Sequence, residues 1–238
     1  MSRTKDGDPL KALAQEIKAK IHTSKSRRWF ILLSPFVIIV LGRLTAMLAG
    51  RALGLWAWVP IILVSWGLFA LLIRIGGSKA SLRSWAGPPQ GAWGWSALAL
   101  LVALIPFPLF LLHWRMLAPI WIWLPWLVFA LINPFLEEGY WRGVLSDATS
   151  GWPGWISVLF SSSLFALAHP LTLGVTSIAN RHPATVISTF LMGVAWAIAY
   201  RKTGSLRFPV LAHVLVDLFN LSVAAFLNIY LPHASFTR

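Results

Sequence analysis

Residues 119–149 read PIWIWLPWLVFALINPFLEEGYWRGVLSDAT. The first part of this stretch carries no charge, and a mostly apolar run of about 18 residues or more reads as a membrane-spanning helix. It then continues into two adjacent carboxylates, Glu137 and Glu138, with Arg142 close behind. At about 1.5 Å per residue the whole stretch is too long for one straight crossing. Kinks at Pro125 and Pro134 with tilt would absorb the excess, or its first part lies near the outer interface.

Comparable runs recur along the chain. Of its 238 residues 58% are hydrophobic and 11% charged, against about 25% charged in soluble domains. From Trp29 onward the polar faces of a soluble helix are missing. The reading is an all-α, polytopic transmembrane bundle of about seven spans, roughly 29–50, 54–75, 95–113, 119–149, 154–170, 184–200 and 206–230. A Gly-, Pro- and Ser-rich loop occupies 76–94, and tight turns lie at 151–154 and 202–205. Tryptophans pair near the proposed ends (Trp56/Trp58, Trp93/Trp95, Trp121/Trp123, Trp152/Trp155), as an interfacial belt would place them. No internal repeat is visible. The membrane domain is thus 29–238, preceded by a basic tail, 1–28.

The net charge of +13 invites a nucleic-acid partner, but its distribution excludes one. Eight of the twenty basic residues fall in the first 28 positions, and most of the rest flank apolar runs. An anionic inner leaflet selects that pattern. The tail, the second loop (Arg74, Lys79, Arg83) and the sixth (Arg201, Lys202, Arg207) put the N-terminus in the cytoplasm. Arg51, Arg115, Arg181 and Arg238 stay outside. In the tail, Leu10, Leu13, Ile17 and Ile21 recur at helical spacing, which reads either as an interfacial helix or as a solvated basic segment. The long basic stretch and full-length apolar run are not those of a cleaved signal peptide. Cysteine is absent, which removes disulfides, a thiolate nucleophile and Cys-based metal sites.

The chemistry is carried by the acids. Beyond Asp6, Asp8 and Glu16 only Glu137, Glu138, Asp147 and Asp217 remain, three of them within apolar runs. A charge at mid-bilayer costs at least a few kcal/mol, so it is kept with a partner or for a task; polar contacts between helices are the plain structural alternative. Glu138 and Arg142 stand at i and i+4, acid first, the favourable order for an ion pair. Glu137 is turned about 100° away, and a carboxylate without a cation in an apolar pocket suits a general base. His169 precedes Pro170, which predicts that its helix ends or kinks there. Counting from the 151–154 turn, Glu137 and His169 share a layer about 20 Å deep. His213 and Asp217, again i and i+4, lie about 10 and 16 Å deep by the same count. His22, His113, His182 and His233 have no such partners and read as surface residues.

Glu137-Glu138-x-x-x-Arg142, Phe165-x-x-x-His169 and His213-x-x-x-Asp217, in this order, resemble the EExxxR, FxxxH and HxxxN/D motifs of the CPBP family of intramembrane proteases. That family includes type II CAAX prenyl endopeptidases and bacteriocin-processing or self-immunity proteins. The resemblance covers about 130–222, within a catalytic core at about 119–230 on the fourth, fifth and seventh spans. It implies an intramembrane endopeptidase of a plasma membrane, expected to be prokaryotic, acting on a membrane-associated peptide or protein. Glu137 and His169 would activate water, His213 and residue 217 would bind the oxyanion, and Glu138 and Arg142 would organise the site. At 217 this chain has Asp where Asn is the better donor. An ionised Asp donates no hydrogen bond, so Asp217 must be protonated, orient His213 or bind a metal. No cofactor is expected in the leading reading. Zn²⁺ on Glu137, His169, His213 and Asp217 is the alternative, although HExxH is absent. A transporter or scaffold with a polar intramembrane cluster is the non-enzymatic alternative.

Overall fold

A computed structural model describes residues 9–91 and 93–229, with the side chains of 9–24 outside the description. The interfacial expectation for Leu10, Leu13, Ile17 and Ile21 therefore lies outside the described residues, as do the side chain of His22 and all of His233.

Every regular element among the described residues is helical. α1 (Pro9–Leu53) pairs with α2 (Trp58–Gly76), followed by the short α3 (Lys79–Ala86), α4 (Gly94–Val102), α5 (Phe107–His113) and α6 (Ile120–Glu138). A π-helical segment, Gly139–Val144, joins α6 to α7 (Leu145–Ala148). Then come α8 (Gly154–Leu171), α9 (Ile178–Arg181), α10 (Pro183–Thr203), α11 (Arg207–Phe219) and α12 (Ser222–Phe226).

Among the described residues, five helical stretches are long and apolar enough to cross a membrane: 25–76, 94–117, 120–148, 154–175 and 183–203. The first contains both α1 and α2. Large apolar side chains cover the outside, with Leu112 77% and Ile120 78% exposed. So much apolar surface is untenable in water and natural against lipid. The chain is an integral membrane protein.

Several boundaries differ from those expected. α1 runs through 28/29 without interruption, because no Gly or Pro falls between Leu10 and Ser34 to break it. The third span bends through Ala103–Pro106, where the backbone bonds shorten to i→i+3 ahead of Pro106 and Pro108. Pro125 and Pro134 lie inside α6, which continues through both as expected; a change in winding comes after Glu138. The expected seventh helix is broken at Asn220-Leu221, where Leu221 takes φ 53°, a left-handed conformation that stops a helix of L-residues.

One end of the bundle gathers the basic loops. Arg28 Nε donates to the Ala148 carbonyl (2.8 Å), Ser84 Oγ to that of Gly204 (3.1 Å) and Arg207 Nε to that of Ala86 (2.7 Å). The first ties α1 to the end of α7, and the other two tie α3 to the α10–α11 turn and the start of α11. Exposed tryptophans ring both ends, including Trp56 against Trp121 at one end and Trp93 and Trp155 at the other. One buried cluster centres on Tyr140, Trp141, Phe165 and Trp196. A second holds Ile62, Trp126, Phe129 and Leu173. The polar residues of α6 and α11 sit where the two meet.

Candidate active site

α6 brings Glu137 and Glu138 to the bundle interior at the point where its winding widens. π-helical turns are rare and occur often at functional sites. Here the turn is clamped by close approaches at its two glycines. Trp85 packs against Gly143 and Ile73 against Gly139, so tightly that a Cβ on either glycine would overlap them.

The two glutamates have different surroundings. Glu138 is fully buried, and its Oε1 accepts from Arg142 Nη1 (2.9 Å) and from His213 Nδ1 (2.8 Å). The Arg142 guanidinium lies over the Phe165 ring (4.1 Å) and near that of Trp196 (5.3 Å). Gly193 makes room for it, since a Cβ there would sit 3.3 Å from Arg142 Nη2. Glu137 remains 15% exposed, and its buried Oε2 makes no hydrogen bond.

His169 reaches the same space from α8. Its Nδ1–H donates to the Phe165 carbonyl (2.9 Å), which leaves Nε2 as the acceptor. Glu137 and His169 both line a cavity of about 30 Å³ walled by Phe69, Trp141, Phe165 and Leu173. That is room for one or two waters. The helix end expected near His169 falls two residues on: α8 stops at Leu171, and Thr172 closes it by donating its N–H (3.0 Å) and Oγ1 (2.6 Å) to the Ala168 carbonyl.

His213 stands between the carboxylates. Its Nδ1 is held by Glu138, while its Nε2 lies 3.7 Å from Glu137 Oε2 and 3.8 Å from Asp217 Oδ2. Trp196 stacks on the ring at 4.9 Å, with its own Nε1 bonded to the Ala99 carbonyl (3.1 Å). All six expected residues therefore meet, from α6 and its π extension, α8 and α11. The expected depth offset between His213 and Glu137 is absent. Simple counting assumed helices starting at one level. Instead the Leu206 N–H bonds to the Trp85 carbonyl (2.9 Å), which holds the start of α11 to the same residue whose indole packs on Gly143.

Sequence reading missed Asn133. Its Nδ2 donates to Asp217 Oδ2 (3.3 Å), and its Oδ1 accepts from Trp66 Nε1 (2.9 Å). The signal was present: a lone amide in an apolar run, one helical turn before Glu137. Trp126 Nε1 and Ser222 Oγ bond the Asp217 carbonyl (3.3 and 3.2 Å). Of the remaining histidines, His182 caps α10, its Nδ1 accepting from the Ala184 N–H (3.3 Å). Among the described residues no group of three or more His, Asp or Glu is disposed to hold a metal ion.

Fold and site thus define a membrane-embedded helical protein with a largely buried ionisable cluster beside a water-sized cavity. Residues 119–219 match the family model of Type II CAAX prenyl endopeptidase Rce1-like, in agreement with the resemblance carried by the three motifs. The matched segment holds all six motif residues. No curated protein and no solved structure matches the chain.

Proposed function

We propose that this protein is an intramembrane endopeptidase that cleaves a membrane-associated peptide or protein with water activated by Glu137 and His169. The observation that carries the reading is the shared cavity: a carboxylate whose Oε2 makes no hydrogen bond and an imidazole nitrogen with a free lone pair face a space the size of water. Glu137 takes a proton from that water as its oxygen attacks the peptide carbonyl carbon. His169 Nε2 accepts the second water hydrogen and orients the attack. The carbonyl oxygen becomes an oxyanion, and Glu137 returns the proton to the departing amine, giving one carboxyl and one amino terminus.

His213 is the oxyanion donor in this scheme. With Nδ1–H committed to Glu138, it donates from Nε2 when it carries a proton on both nitrogens. A donor fixed before the charge develops is worth roughly 3–4 kcal/mol. Asp217 orients His213 rather than donating, and Asn133 holds Asp217. Glu138 and Arg142 form the scaffold.

A transporter or scaffold calls for polar groups along a path or on separate faces; gathering six into one cluster favours the hydrolase. The membrane arrangement that fits is seven crossings, the last made by α11 and α12 together. The N-terminus is on the cytoplasmic side, where the basic loops collect.

Comparative peptidomics of membranes containing native protein or Glu137→Ala tests the proposal. Substrates should persist uncleaved with the variant, and identical peptide profiles would overturn the assignment. Including prenylated and unprenylated peptides decides whether this chain shares the substrate type named in the family description.

A further inference from the structure

Away from the catalytic cluster, a groove of about 700 Å³ runs between α4, α8 and α10. Val158 and Leu159 form one wall and Val194 and Ile198 the other, with Trp95 and Trp155 toward its basic end. At Lys202 the character changes. Lys202 lines both this groove and a second, polar basin of about 570 Å³ that contains Arg83, Ser84 and Gln90. The two together are amphipathic, and each lies within the usual range for small-molecule sites, about 300–1,000 Å³.

Length and charge both describe an occupant. From Val194 to Lys202 the groove follows α10 for about 12 Å, close to the thickness of one leaflet of a bilayer, about 15 Å. Three cations, Arg83, Arg201 and Lys202, border the basic end, and no carboxylate lines either space. Among the described residues none of the three forms an ion pair. Arg201 Nη1 donates only to the neutral Ser157 Oγ (3.1 Å), and Lys202 Nζ stands 5.8 Å from the Trp95 ring centre. Lys202 shares one space with Arg201 and the other with Arg83; cations so placed without an acid repel one another, and an anion seated beside them relieves that repulsion. Indole rings beside the cations are what the headgroup level of a membrane selects.

We propose that this groove and basin form a binding site for an anionic phospholipid, with one acyl chain along α10 and the phosphate between Arg83, Arg201 and Lys202. The site is independent of the hydrolytic reading, since it shares no residue with the catalytic cluster. It would anchor α10, whose Trp196 stacks on His213, to the leaflet at the basic end.

The test uses the full chain, delipidated in detergent and titrated by native mass spectrometry with phosphatidylglycerol and with phosphatidylcholine of identical chains. Wild type should retain phosphatidylglycerol in preference to phosphatidylcholine. Lys202→Gln and Arg83→Gln should each weaken phosphatidylglycerol about fivefold and leave phosphatidylcholine unchanged. Ile198→Trp, which fills the groove without altering charge, should weaken the bound lipid as well. Equal retention of the two lipids, or phosphatidylglycerol affinity unaffected by the charge variants, would overturn the proposal. Displacement of the lipid by inorganic phosphate alone would do so too, by showing a phosphate site with no contribution from the chain.

Discussion

Glu137→Gln and Glu138→Gln, the same conservative change at neighbouring positions, should have opposite consequences. Glu138 is 0% exposed and Arg142 1%, and one oxygen of Glu138 serves both Arg142 and His213 at 2.9 and 2.8 Å. Removing its charge leaves a buried guanidinium without a counterion, a loss of about 3–5 kcal/mol for a broken buried pair. For a chain of this length that is roughly 6–20 °C in Tm. Glu137 is partly exposed and its Oε2 makes no hydrogen bond, so Gln there should change stability by about 0.5 kcal/mol or less. Activity divides the other way. Loss of a general base costs about 10²–10⁴-fold in rate, and Glu137→Gln should lose that much while its Tm is unchanged. Thermal unfolding in detergent, measured beside single-turnover cleavage of a substrate from the peptidomic comparison, reads both quantities. A stable Glu138→Gln, or an active Glu137→Gln, would refute the division of roles.

Asp217→Asn should keep or raise turnover, because an amide can donate to the oxyanion where an ionised carboxylate cannot; a loss beyond about tenfold would mean that the carboxylate itself is needed. Gly143→Ala should destabilise the protein by about 1–3 kcal/mol, since the added methyl meets the rigid Trp85 indole at 2.7–2.9 Å, and denaturation of the purified variant measures it. Treatment with a zinc chelator should leave cleavage intact; activity lost on chelation and restored by Zn²⁺ would favour the metal form of the site. His169→Ala should lower kcat about 10²–10⁴-fold with little change in Tm, because α8 keeps its backbone bonds past Leu171; a Tm loss matching that of Glu138→Gln would make His169 structural instead.

The membrane fold was legible because bilayer solvation imposes composition directly: long apolar runs, basic loops and terminal tryptophans need no tertiary knowledge. The cluster was legible for a related reason, since ionisable residues in such runs are few. Winding was less accessible. The break at Leu221 and the π turn at 139–144 depend on what packs around them, while Pro125 and Pro134 lie inside α6 and Pro170 stands one residue before the end of α8. Pairing was legible only within a helix. Glu138–Arg142 followed from i,i+4 spacing, but the bond from His213 Nδ1 to Glu138 spans 75 residues. The same spacing put His213 with Asp217, whose nearest approach is a longer 3.8 Å. Asn133 escaped because its meaning depends on Asp217 lying opposite.

What aligns these distant pieces is Trp85, a residue with no place in the chemistry. Its indole packs on Gly143, its carbonyl accepts from the Leu206 N–H at 2.9 Å, and its Nε1 donates to Tyr200 Oη at 2.9 Å. Glu137 lies six residues from Gly143, and His213 seven from Leu206. By helical rise these are about 9 and 10 Å, so a single pin at Trp85 brings carboxylate and imidazole to one level. Tyr200 Oη in turn donates to Asp147 Oδ1 at 2.7 Å, which gives the fourth acid outside the tail a structural task at the basic end. The register of the candidate site is therefore set about 10 Å away from it, in α3, within a stretch that the sequence marked only as a loop.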